Sequence, residues 1–500
     1  MIIAHDLGTT GNKASLHEDD GRLVTAVTVS YGVRFADGGI AEQDPADWWN
    51  AVVEATRTLV ARSGVDPAHV TGLTVSGQMM GAVLLDDAYE PVRPAIIWAD
   101  TRSTAQTSAL EAAIGQEAAY PLLGHRLNPT YSLSKIMWVR DNEPDVWARV
   151  RHVCVAKDVI VHRLTGRLVT DHSDASATNA YDLERGVWSE EVIAAAGLPL
   201  SIFPEILEST AIVGELTDDA ASATGLRRST RVVLGGGDGP IAAVGAGVVG
   251  PEDQAYVCLG TSSWISFASE RPAVDDLMRV FTFRHVVPGL FVPTATMQAG
   301  GAAVQWINEI LSPDPSSASL SALVSEADTA SASGEGLFFL PYLMGERSPY
   351  FNPEAAGAFV GLSRHHTRAS MTRAVLEGVA FNLLTCIDAF RESGATVDRI
   401  DAIGGGASSS VWLQIMADVW GVPVRRRSVV EEGNSLGAAV TAAVGLGLVD
   451  DFGAARGLSE VTAEFTPDPG RHASYHDRSV VFRDAYDRLE PWFPTRAVRS

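Results

Sequence analysis

The sequence predicts an α/β fold with mixed sheets, organised as two domains of similar length. Short apolar strand patterns alternate with helical patterns along the whole chain. A strand–turn–strand pattern also occurs twice, once near residue 1 and again near residue 255. Because 500 residues are too many for one hydrophobic core, we place a boundary near Gly245–Pro251. The expected domains are therefore 1–245 and 246–500.

The first half opens with three predicted strands and a helix. The strands are Ile2–Ala4, Lys13–Leu16 and Leu23–Val29, separated by a Gly/Thr turn and an Asp-Asp-Gly turn. A helix is expected after Asp44, since aspartate is a favoured N-cap residue and proline follows it at the first helical position. The segment Val70–Ser76 then predicts a strand.

The second half repeats the opening pattern and adds a long helix. Ala255–Leu259 and Trp264–Phe267 are predicted strands on either side of a Gly-Thr-Ser-Ser turn. Ser370–Phe390 contains few helix breakers and predicts a long helix. The basic triplet Arg425–Arg427 is expected to end a strand at a solvated sheet edge.

Composition limits the class of protein. The chain is 46% hydrophobic and 20% charged, and no apolar run approaches the roughly 20 residues that span a bilayer. The three cysteines lie far apart, and the first residues lack a signal-peptide pattern, so we expect a cytoplasmic protein without membrane association. A net charge of −23 argues against binding to nucleic acid.

One stretch gathers glycines around a single acid, Asp238, between Leu234 and Gly247. Within it, Gly245–Gly250 fits the dinucleotide-binding pattern, but the preceding residues look helical rather than strand-like, which argues against that site. No P-loop sequence occurs. Asp238 is therefore either an ordinary turn or capping residue, or a chemical group at the junction of the two halves, where small-molecule sites often form.

Two turns resemble phosphate loops. Asp6–Lys13 and Leu259–Ser263 each place glycine and hydroxyl residues between two apolar strands. Glycine lets a backbone approach a ligand closely, and successive N–H groups bind anions. Either turn alone would be read as an ordinary hairpin. Two copies, one at the start of each half, favour a phosphate-binding function.

With these residues in view, essentially the whole chain resembles the FGGY carbohydrate kinases, most closely their xylulokinase-like branch. The motifs that carry the resemblance are Asp6-Leu-Gly-Thr-Thr-Gly11, Glu42-Gln-Asp-Pro-Ala-Asp-Trp-Trp49, Trp98-Ala-Asp-Thr-Arg102, Thr130–Asn142, Leu259-Gly-Thr-Ser-Ser263, Leu340–Pro349, Gly357–Gly378 and Gly404-Gly-Gly-Ala-Ser-Ser409. The resemblance implies two actin-like ATPase (ribonuclease-H-like) domains with a cleft between them, closing on ATP, Mg²⁺ and a small sugar or polyol.

The resemblance also implies roles for individual residues. Asp238 corresponds to the catalytic base and Asp6 to the acid that assists Mg²⁺. The nucleotide-binding residues that it implies are Gly8, Thr9, Thr10, Lys13, Gly260, Thr261, Ser262, Gly405, Gly406, Ala407 and Asn434. The substrate-binding residues are Gln78, Met79, Met80, Asp238 and Gly239.

Two positions depart from the xylulokinase pattern. Met80 stands where these kinases carry histidine, and Gly239 where they carry asparagine. Methionine offers only a weak sulfur acceptor, whereas histidine both donates and accepts hydrogen bonds. We therefore expect a pocket with fewer polar contacts and more room at one end. Loss of such contacts shifts substrate preference, so D-xylulose is the less certain part of the assignment.

The expected function is an ATP-dependent kinase acting on a hydroxyl of a xylulose-like ketose or a related polyol. Kinases of the same family for a tetritol, a pentitol or a sugar acid remain alternatives. So do two other classes of protein, an actin-like or chaperone-like ATPase and a sugar-binding regulator without catalysis. The substrate, the phosphorylated carbon and the oligomeric state are left open by the sequence, with a homodimer one expectation.

Overall fold

The computed structural model describes residues 1–428 and 433–496. The strands of this part of the chain are β1 (Ile2–Leu7), β2 (Gly11–His17), β3 (Leu23–Ser30), β4 (Arg34–Ala36), β5 (Ile40–Gln43), β6 (Gly72–Gly77), β7 (Val83–Leu85), β8 (Ala95–Ile96), β9 (His152–Cys154), β10 (Val169–Asp171), β11 (Tyr181–Asp182), β12 (Val187–Trp188), β13 (Glu205–Leu207), β14 (Ile212–Glu215), β15 (Arg231–Gly237), β16 (Ala255–Leu259), β17 (Ser263–Ser266), β18 (Phe281–Arg284), β19 (Phe291–Met297), β20 (Phe338–Leu340), β21 (Ala358–Val360), β22 (Ile400–Ile403), β23 (Val424–Arg427) and β24 (Val461–Phe465).

The α-helices connect and cover these strands. They are α1 (Pro45–Ser63), α2 (Thr104–Ile114), α3 (Gln116–Leu123), α4 (Ser132–Asn142), α5 (Pro144–Trp147), α6 (Ala156–Thr165), α7 (His172–Ala175), α8 (Glu190–Ala195), α9 (Asp218–Thr224), α10 (Asp238–Gly245), α11 (Gly301–Leu311), α12 (Ser317–Ala327), α13 (Arg368–Glu392), α14 (Ser410–Trp420), α15 (Gly433–Gly445) and α16 (Pro469–Leu489). Among the described residues, no helix combines the length and the apolar character needed to cross a lipid bilayer.

The first large sheet has the strand order β14-β15-β6-β1-β2-β3. Strand β1 runs antiparallel to β2 and parallel to β6, so the sheet is mixed, as predicted. Helices α1 and α6 pack on one face. Asp44 caps α1 as predicted, because its side chain accepts a hydrogen bond from the Ala46 N–H over 2.9 Å. The predicted strands and helix at the start of the chain are therefore confirmed.

The second large sheet repeats this arrangement in the order β18-β19-β17-β16-β22-β23-β24. Strand β16 runs antiparallel to β17 and parallel to β22, as β1 does with β2 and β6. The predicted helix at 370–390 is α13, which starts two residues earlier and ends two residues later. Helices α11, α12 and α14 pack against it. The two sheets thus begin with the same strand–turn–strand motif.

Two helices join the halves. Helix α15 lies late in the chain but packs against α10 and against β1, β6 and β15 of the first sheet. The two helices approach closely because glycines face each other: a Cβ on Gly437 would lie 2.1 Å from the Ile241 carbonyl oxygen, and one on Gly245 would lie 1.9 Å from the Gly433 oxygen. The second half therefore completes the core of the first.

The prediction that Arg425–Arg427 lies at a solvated sheet edge is wrong. Strand β23 lies between β22 and β24, in the interior of the sheet. Arg425 and Arg427 both pair with Asp401 of β22, and Arg426 on the opposite face donates to the Ala407 carbonyl over 2.7 Å. The edge is covered by β24, a strand that the sequence analysis did not anticipate.

Candidate active site

Asp238 lies where β15 ends and α10 begins, as the first residue of the helix. The preceding glycines allow this path. Gly235 adopts a φ of +74°, and a Cβ there would lie 2.0 Å from the Val75 carbonyl oxygen. A Cβ on Gly236 would lie 2.8 Å from Ser173 Oγ. Glycines are therefore required here because the end of β15 packs closely against β6 and α7. Asp238 follows directly and lies at the cleft.

The backbone just before Asp238 is held by α7. The Gly237 N–H donates to Ser173 Oγ over 2.9 Å, and the Ser173 hydroxyl donates to Asp171 Oδ2 over 2.5 Å. Ser209 also donates to Asp171 Oδ2, over 2.7 Å. These groups are buried, so the chain of hydrogen bonds runs without competition from water.

Beneath this network lies a buried lysine with three carboxyl groups. Lys157 Nζ is 2.9 Å from Asp158, 3.3 Å from Asp171 and 3.5 Å from Asp174. Burial raises the pKa of Asp174, and the neighbouring carboxylates add to the effect. One ammonium cannot neutralise three buried carboxylates, which favours the protonated form of Asp174.

Asp238 and Asp6 lie close enough for their charges to interact. Burial raises the pKa of Asp238 to about 7, and the negative charge of Asp6 adds to the rise. Burial likewise raises the pKa of Asp6, while Asn434, which lies 3.4 Å from Asp6 Oδ1, Lys13 and Ser76 oppose the rise. Asp6 points this way because it shares a face of β1 with Ile2 and Ala4, which pack toward α15.

The two carboxylates fit a hard cation. Among the described residues, neither Asp6 nor Asp238 has a lysine or arginine nitrogen within 4.0 Å. Their mutual repulsion is thus not offset by a direct ion pair, although Lys13 acts on Asp6 from a greater distance. Mg²⁺ prefers oxygen ligands and keeps several of its waters, so a site made of few carboxylates beside a phosphate loop suits it.

A first cavity of about 170 Å³ opens beside Asp238, between the two halves of the chain. Its lining is mostly aromatic or apolar, with a few polar groups that converge on it. The residues of the lining are Met79, Met80, Trp98, Asp238, Gly239, Tyr256, Ser262, Trp264, Phe281, Phe283, Thr294, Thr296, Arg347 and Asn434. The size and the lining of this cavity suit a small polar molecule. Asp238 supplies the carboxylate among the lining residues.

Four of the five residues expected to bind substrate line this cavity. Gln78 is the exception: it is buried, and its side-chain amide donates to Gln43 Oε1 over 2.7 Å. Met79 packs beside Gly237, where a Cβ would lie 2.7 Å from the Met79 sulfur. Gly239 leaves open space, since a Cβ there would meet only the Met79 sulfur at 3.7 Å. Whether the cavity has more room at this end than that of a xylulokinase stays a prediction.

Met80 has a left-handed backbone, with a φ of 62°. Its carbonyl accepts a hydrogen bond over 2.8 Å from Lys135 Nζ, which also donates to the Thr130 carbonyl. Lys135 is fully buried, and burial lowers its pKa to about 7. The lysine from α4 thus holds the unusual turn that directs Met80 into the cavity.

Arg347 was missed as a site residue. Its side chain lines the cavity, and within the described residues it has no carboxylate within 4.0 Å. The loop that carries it is anchored by the buried Glu346, which accepts hydrogen bonds from the Gln298 and Arg347 N–H groups, each over 2.8 Å. The only sequence signal was its place in the segment Leu340–Pro349, where its direction could not be read.

A second cavity of about 690 Å³ lies in the second half of the chain. Gly260, Thr261, Gly405 and Gly406 line it, whereas Ser262 of the same turn lines the first cavity. The second predicted phosphate loop therefore separates the two cavities. Its turn is held by α11, because the Gly301 N–H donates to the Gly260 carbonyl over 2.8 Å.

Two predicted nucleotide-binding residues lie elsewhere. Ala407 is fully buried and does not line the second cavity, and its carbonyl accepts from Arg426. Asn434 lines the first cavity, beside Asp6. Asn434 therefore does not lie with Gly405 and Gly406, the other residues of the expected adenosine site that line the second cavity.

The first turn also borders the cleft. Thr9 Oγ1 accepts a hydrogen bond over 2.9 Å from Trp98 Nε1, and Trp98 lines the first cavity. Gly8 is fixed by the Tyr31 hydroxyl, which donates to its carbonyl over 2.7 Å. Thr10 is exposed, as is Lys13, the strand partner of Asp6. The turn therefore presents a hydroxyl and a lysine near the acid that precedes it.

Family models cover most of the chain. The N-terminal domain of the FGGY family of carbohydrate kinases matches residues 1–245, and the C-terminal domain of the same family matches residues 255–446. The chain belongs to the FGGY family of carbohydrate kinases. The resemblance stated from the motifs is confirmed, and so is the fold class of two actin-like domains with mixed sheets.

Individual relatives match nearly full length. The chain is 33% identical over 488 residues to a xylulose kinase from Lactococcus lactis, covering 97% of this chain and 96% of that protein. Among solved structures, a ligand-bound xylulose kinase from Lactobacillus acidophilus has a TM-score of 0.93 at 26% identity, with 99% of each chain covered. A gluconate kinase from the same organism has a TM-score of 0.91 at 26% identity, with 98% of each chain covered.

These matches establish the class of activity. As an FGGY kinase, the protein is an enzyme that transfers phosphate from ATP to a small carbohydrate. The alternatives of an actin-like or chaperone-like ATPase and of a regulator without catalysis are set aside by the family assignment.

Proposed function

We propose that this FGGY kinase transfers the γ-phosphate of ATP to a hydroxyl of a xylulose-like ketose, with Asp238 as the general base. The observation that carries the proposal is the position of Asp238. It stands in the first cavity, and the second phosphate loop separates that cavity from the larger one. A carbohydrate in the first cavity and a nucleotide in the second would meet at this carboxylate.

The step requires little from the protein beyond position and charge. Asp238 accepts the proton of the hydroxyl, and the hydroxyl oxygen bonds to the γ-phosphorus. The bond from that phosphorus to the bridging oxygen breaks, and ADP leaves with its electron pair. The pKa of Asp238, raised to about 7 by burial and by Asp6, makes it a stronger base than a solvated aspartate. We assign the nucleotide to the second cavity, with Gly260, Thr261, Gly405 and Gly406 along the phosphates and adenosine.

Mg²⁺ belongs to the same proposal. Asp6 would hold the ion, directly or through its waters, next to the first phosphate loop. The metal would neutralise charge on the phosphates. Asn434 then orients the Asp6 carboxylate from α15.

A second candidate substrate is a sugar acid such as gluconate. Arg347 favours it, because a guanidinium in the cavity without a carboxylate partner suits an anionic substrate group. The replacement of a histidine by Met80 and of an asparagine by Gly239 points the same way, since both remove groups that bind hydroxyls. The named relatives include kinases for both kinds of substrate.

The test is ADP release on a panel of D-xylulose, gluconate, pentitols, tetritols and glycerol, with the intact enzyme and with Asp238→Asn. We expect one ketose or sugar acid to be preferred, and Asp238→Asn to lower kcat by about 10²–10⁴-fold. Sugar binding, followed by tryptophan fluorescence through Trp98 and Trp264, should survive in the variant. Near-normal turnover by Asp238→Asn would overturn the assignment of the base. The cytoplasmic location, the homodimer and the boundary between the domains stay predictions.

A further inference from the structure

A third cavity, of about 250 Å³, lies away from the site described above and is lined by four arginines. They are Arg399, Arg425, Arg427 and Arg456, and the acids that line the same cavity are Glu252, Asp253 and Asp401. Ala246, Gly247 and Val248 form another wall, where the chain leaves α10 and crosses to the second sheet.

The sheet pattern explains why these side chains converge. Arg399 directly precedes β22 and Asp401 lies two residues further, within that strand, while Arg425 and Arg427 are two residues apart on β23. Asp401 and Arg425 are register partners in the parallel ladder. Because alternate side chains of a strand share a face, all four lie on one side of the second sheet.

The charges around the cavity do not balance. Arg456 pairs with Glu252 and, over 2.7 Å, with Asp253. Asp401 is shared by Arg425 at 2.6 Å and Arg427 at 3.4 Å, so one carboxylate serves two guanidinium groups. Arg399 has no ion pair within the described residues. In a chain with a net charge of −23, this cavity carries a surplus positive charge.

Two of the arginines also have unused hydrogen-bond donors. The Nε atoms of Arg399 and Arg427 are buried and have no acceptor among the described residues. The Arg427 residue is only 9% exposed, and burial together with Arg425 lowers the pKa of its guanidinium. Buried charged donors without acceptors are rare in folded proteins, and each is a group that a bound anion would satisfy.

We infer that this cavity binds a small anion that carries a phosphate group, at the junction of the two domains. The planar forks of arginines match tetrahedral oxyanions, whose oxygens can serve several guanidinium groups at once. The anion would bind chiefly at Arg399 and Arg427, since Glu252 and Asp253 already engage the guanidinium of Arg456, whose backbone borders the same cavity at Gly247. Asp401 stays as the shared counter-ion that keeps Arg425 and Arg427 in place.

The position gives the site a consequence for the enzyme. Arg427 reaches the end of α10, where one of its terminal nitrogens lies 3.6 Å from the place of a Cβ on Gly247. Arg456 follows α15, in the segment by which the chain returns to the second sheet. An anion here would touch the second sheet and both crossing segments, so its binding should couple to the closure of the domains over substrate.

The test is calorimetric titration with inorganic phosphate, using the full chain saturated with a non-hydrolysable ATP analogue and Mg²⁺ so that the phosphate loops are filled. We expect one binding event, weakened at least tenfold in Arg399→Gln, which removes no ion pair, and in Arg427→Gln. Arg271→Gln is the matched control, because Arg271 is exposed and does not line the cavity. This variant should bind phosphate as the parent does. Absence of phosphate binding in the parent, or an affinity like that of the parent in both Arg399→Gln and Arg427→Gln, would overturn the inference.

A second arm identifies the source of the phosphate. Ribose 5-phosphate is titrated in the same way, with ribose as the neutral probe. Tighter binding of the sugar phosphate than of inorganic phosphate, with the same loss in Arg399→Gln, would make a phosphorylated sugar the ligand. Equal or weaker binding would make it free phosphate.

Discussion

The backbone N–H of Gly237 donates a hydrogen bond to the hydroxyl of Ser173 over 2.9 Å, and the next residue in the chain is Asp238. Helix α7 is thereby tied to the strand end from which the proposed base emerges. The Ser173 hydroxyl is itself fixed by Asp171, which is paired with the buried Lys157. The direction of Asp238 thus depends on residues that do not touch substrate.

Replacement of Ser173 by alanine should lower kcat more than it changes KM. The Gly237 N–H would lose its acceptor, at a cost of about 1–3 kcal/mol in unfolding free energy, and small displacements of a catalytic group can cost up to about 10²-fold in rate. Denaturant unfolding and steady-state kinetics measure the two effects. Ser209→Ala is the matched control, because Ser209 donates to the same Asp171 oxygen but does not touch Gly237. Equal losses of kcat in the two variants would contradict a positioning role.

Activity should fall as pH drops below about 7. The base must be deprotonated to accept the hydroxyl proton, and burial together with Asp6 raises the pKa of Asp238 to about 7, so protonation inactivates it below that pH. We expect log kcat/KM to decline with unit slope on the acid side. A higher Mg²⁺ concentration should move this acid-side decline to lower pH. The cation offsets the charge of Asp6, which otherwise helps to raise the pKa of Asp238. A flat profile from about pH 5.5 to 8 would speak against Asp238 as the titrating base.

Asp6→Asn should raise the Mg²⁺ concentration needed for half-maximal rate and lower kcat by at least about tenfold. The amide keeps a similar shape but removes the charge that attracts the cation. A Mg²⁺ titration at saturating ATP measures this. Glu18→Gln, at an exposed acid in the hairpin that follows, serves as the control and should leave the Mg²⁺ requirement unchanged.

Met80→His should lower KM for D-xylulose by roughly tenfold without loss of stability. An imidazole can donate to and accept from a substrate hydroxyl, and histidine tolerates the left-handed backbone that Met80 adopts better than methionine does. Met80→Asn, which also tolerates that backbone but has a shorter side chain, separates relief of backbone strain from the new hydrogen bond. If both variants change KM alike, the imidazole is not the cause.

Arg347→Met should raise KM for gluconate at least tenfold and leave KM for D-xylulose within about threefold. The substitution keeps the bulk but removes the charge that a sugar acid would pair with. Kinetics with both substrates decide the matter, and Arg347→Lys should retain part of the gluconate activity. Equal effects on the two substrates would mean that Arg347 acts on the cavity as a whole.

Most of the fold was predicted correctly from local sequence patterns. The hairpin of β1 and β2, the Asp44 cap and the long α13 depend on neighbours in sequence, and the structure confirms them. The edge assignment of Arg425–Arg427 failed because β24 comes from more than 30 residues further along the chain. Whether a strand lies at an edge is decided by a partner that the strand itself does not encode.

The site residues also divide into those that local sequence could indicate and those that depend on distant parts of the chain. Asp238 could be found because a glycine run and an isolated acid are visible in the sequence. Arg347 could not, since the direction of its loop is set by Glu346, whose carboxylate accepts a hydrogen bond from the N–H of Gln298, 48 positions away. Gln78 was expected to contact substrate, but its side-chain amide donates a hydrogen bond to the side chain of Gln43. A sequence motif cannot reveal a contact of this kind.

The late return of α15 to the first sheet has a consequence for how the protein is made. The apolar face that includes Ile2 and Val233 is covered by Ala442 and Ala443, so a ribosome must synthesise more than 440 residues before that face can be shielded. Until then the nascent chain exposes an apolar surface, to which chaperones bind and through which chains can aggregate. A polypeptide ending near residue 245 would stay in that state permanently.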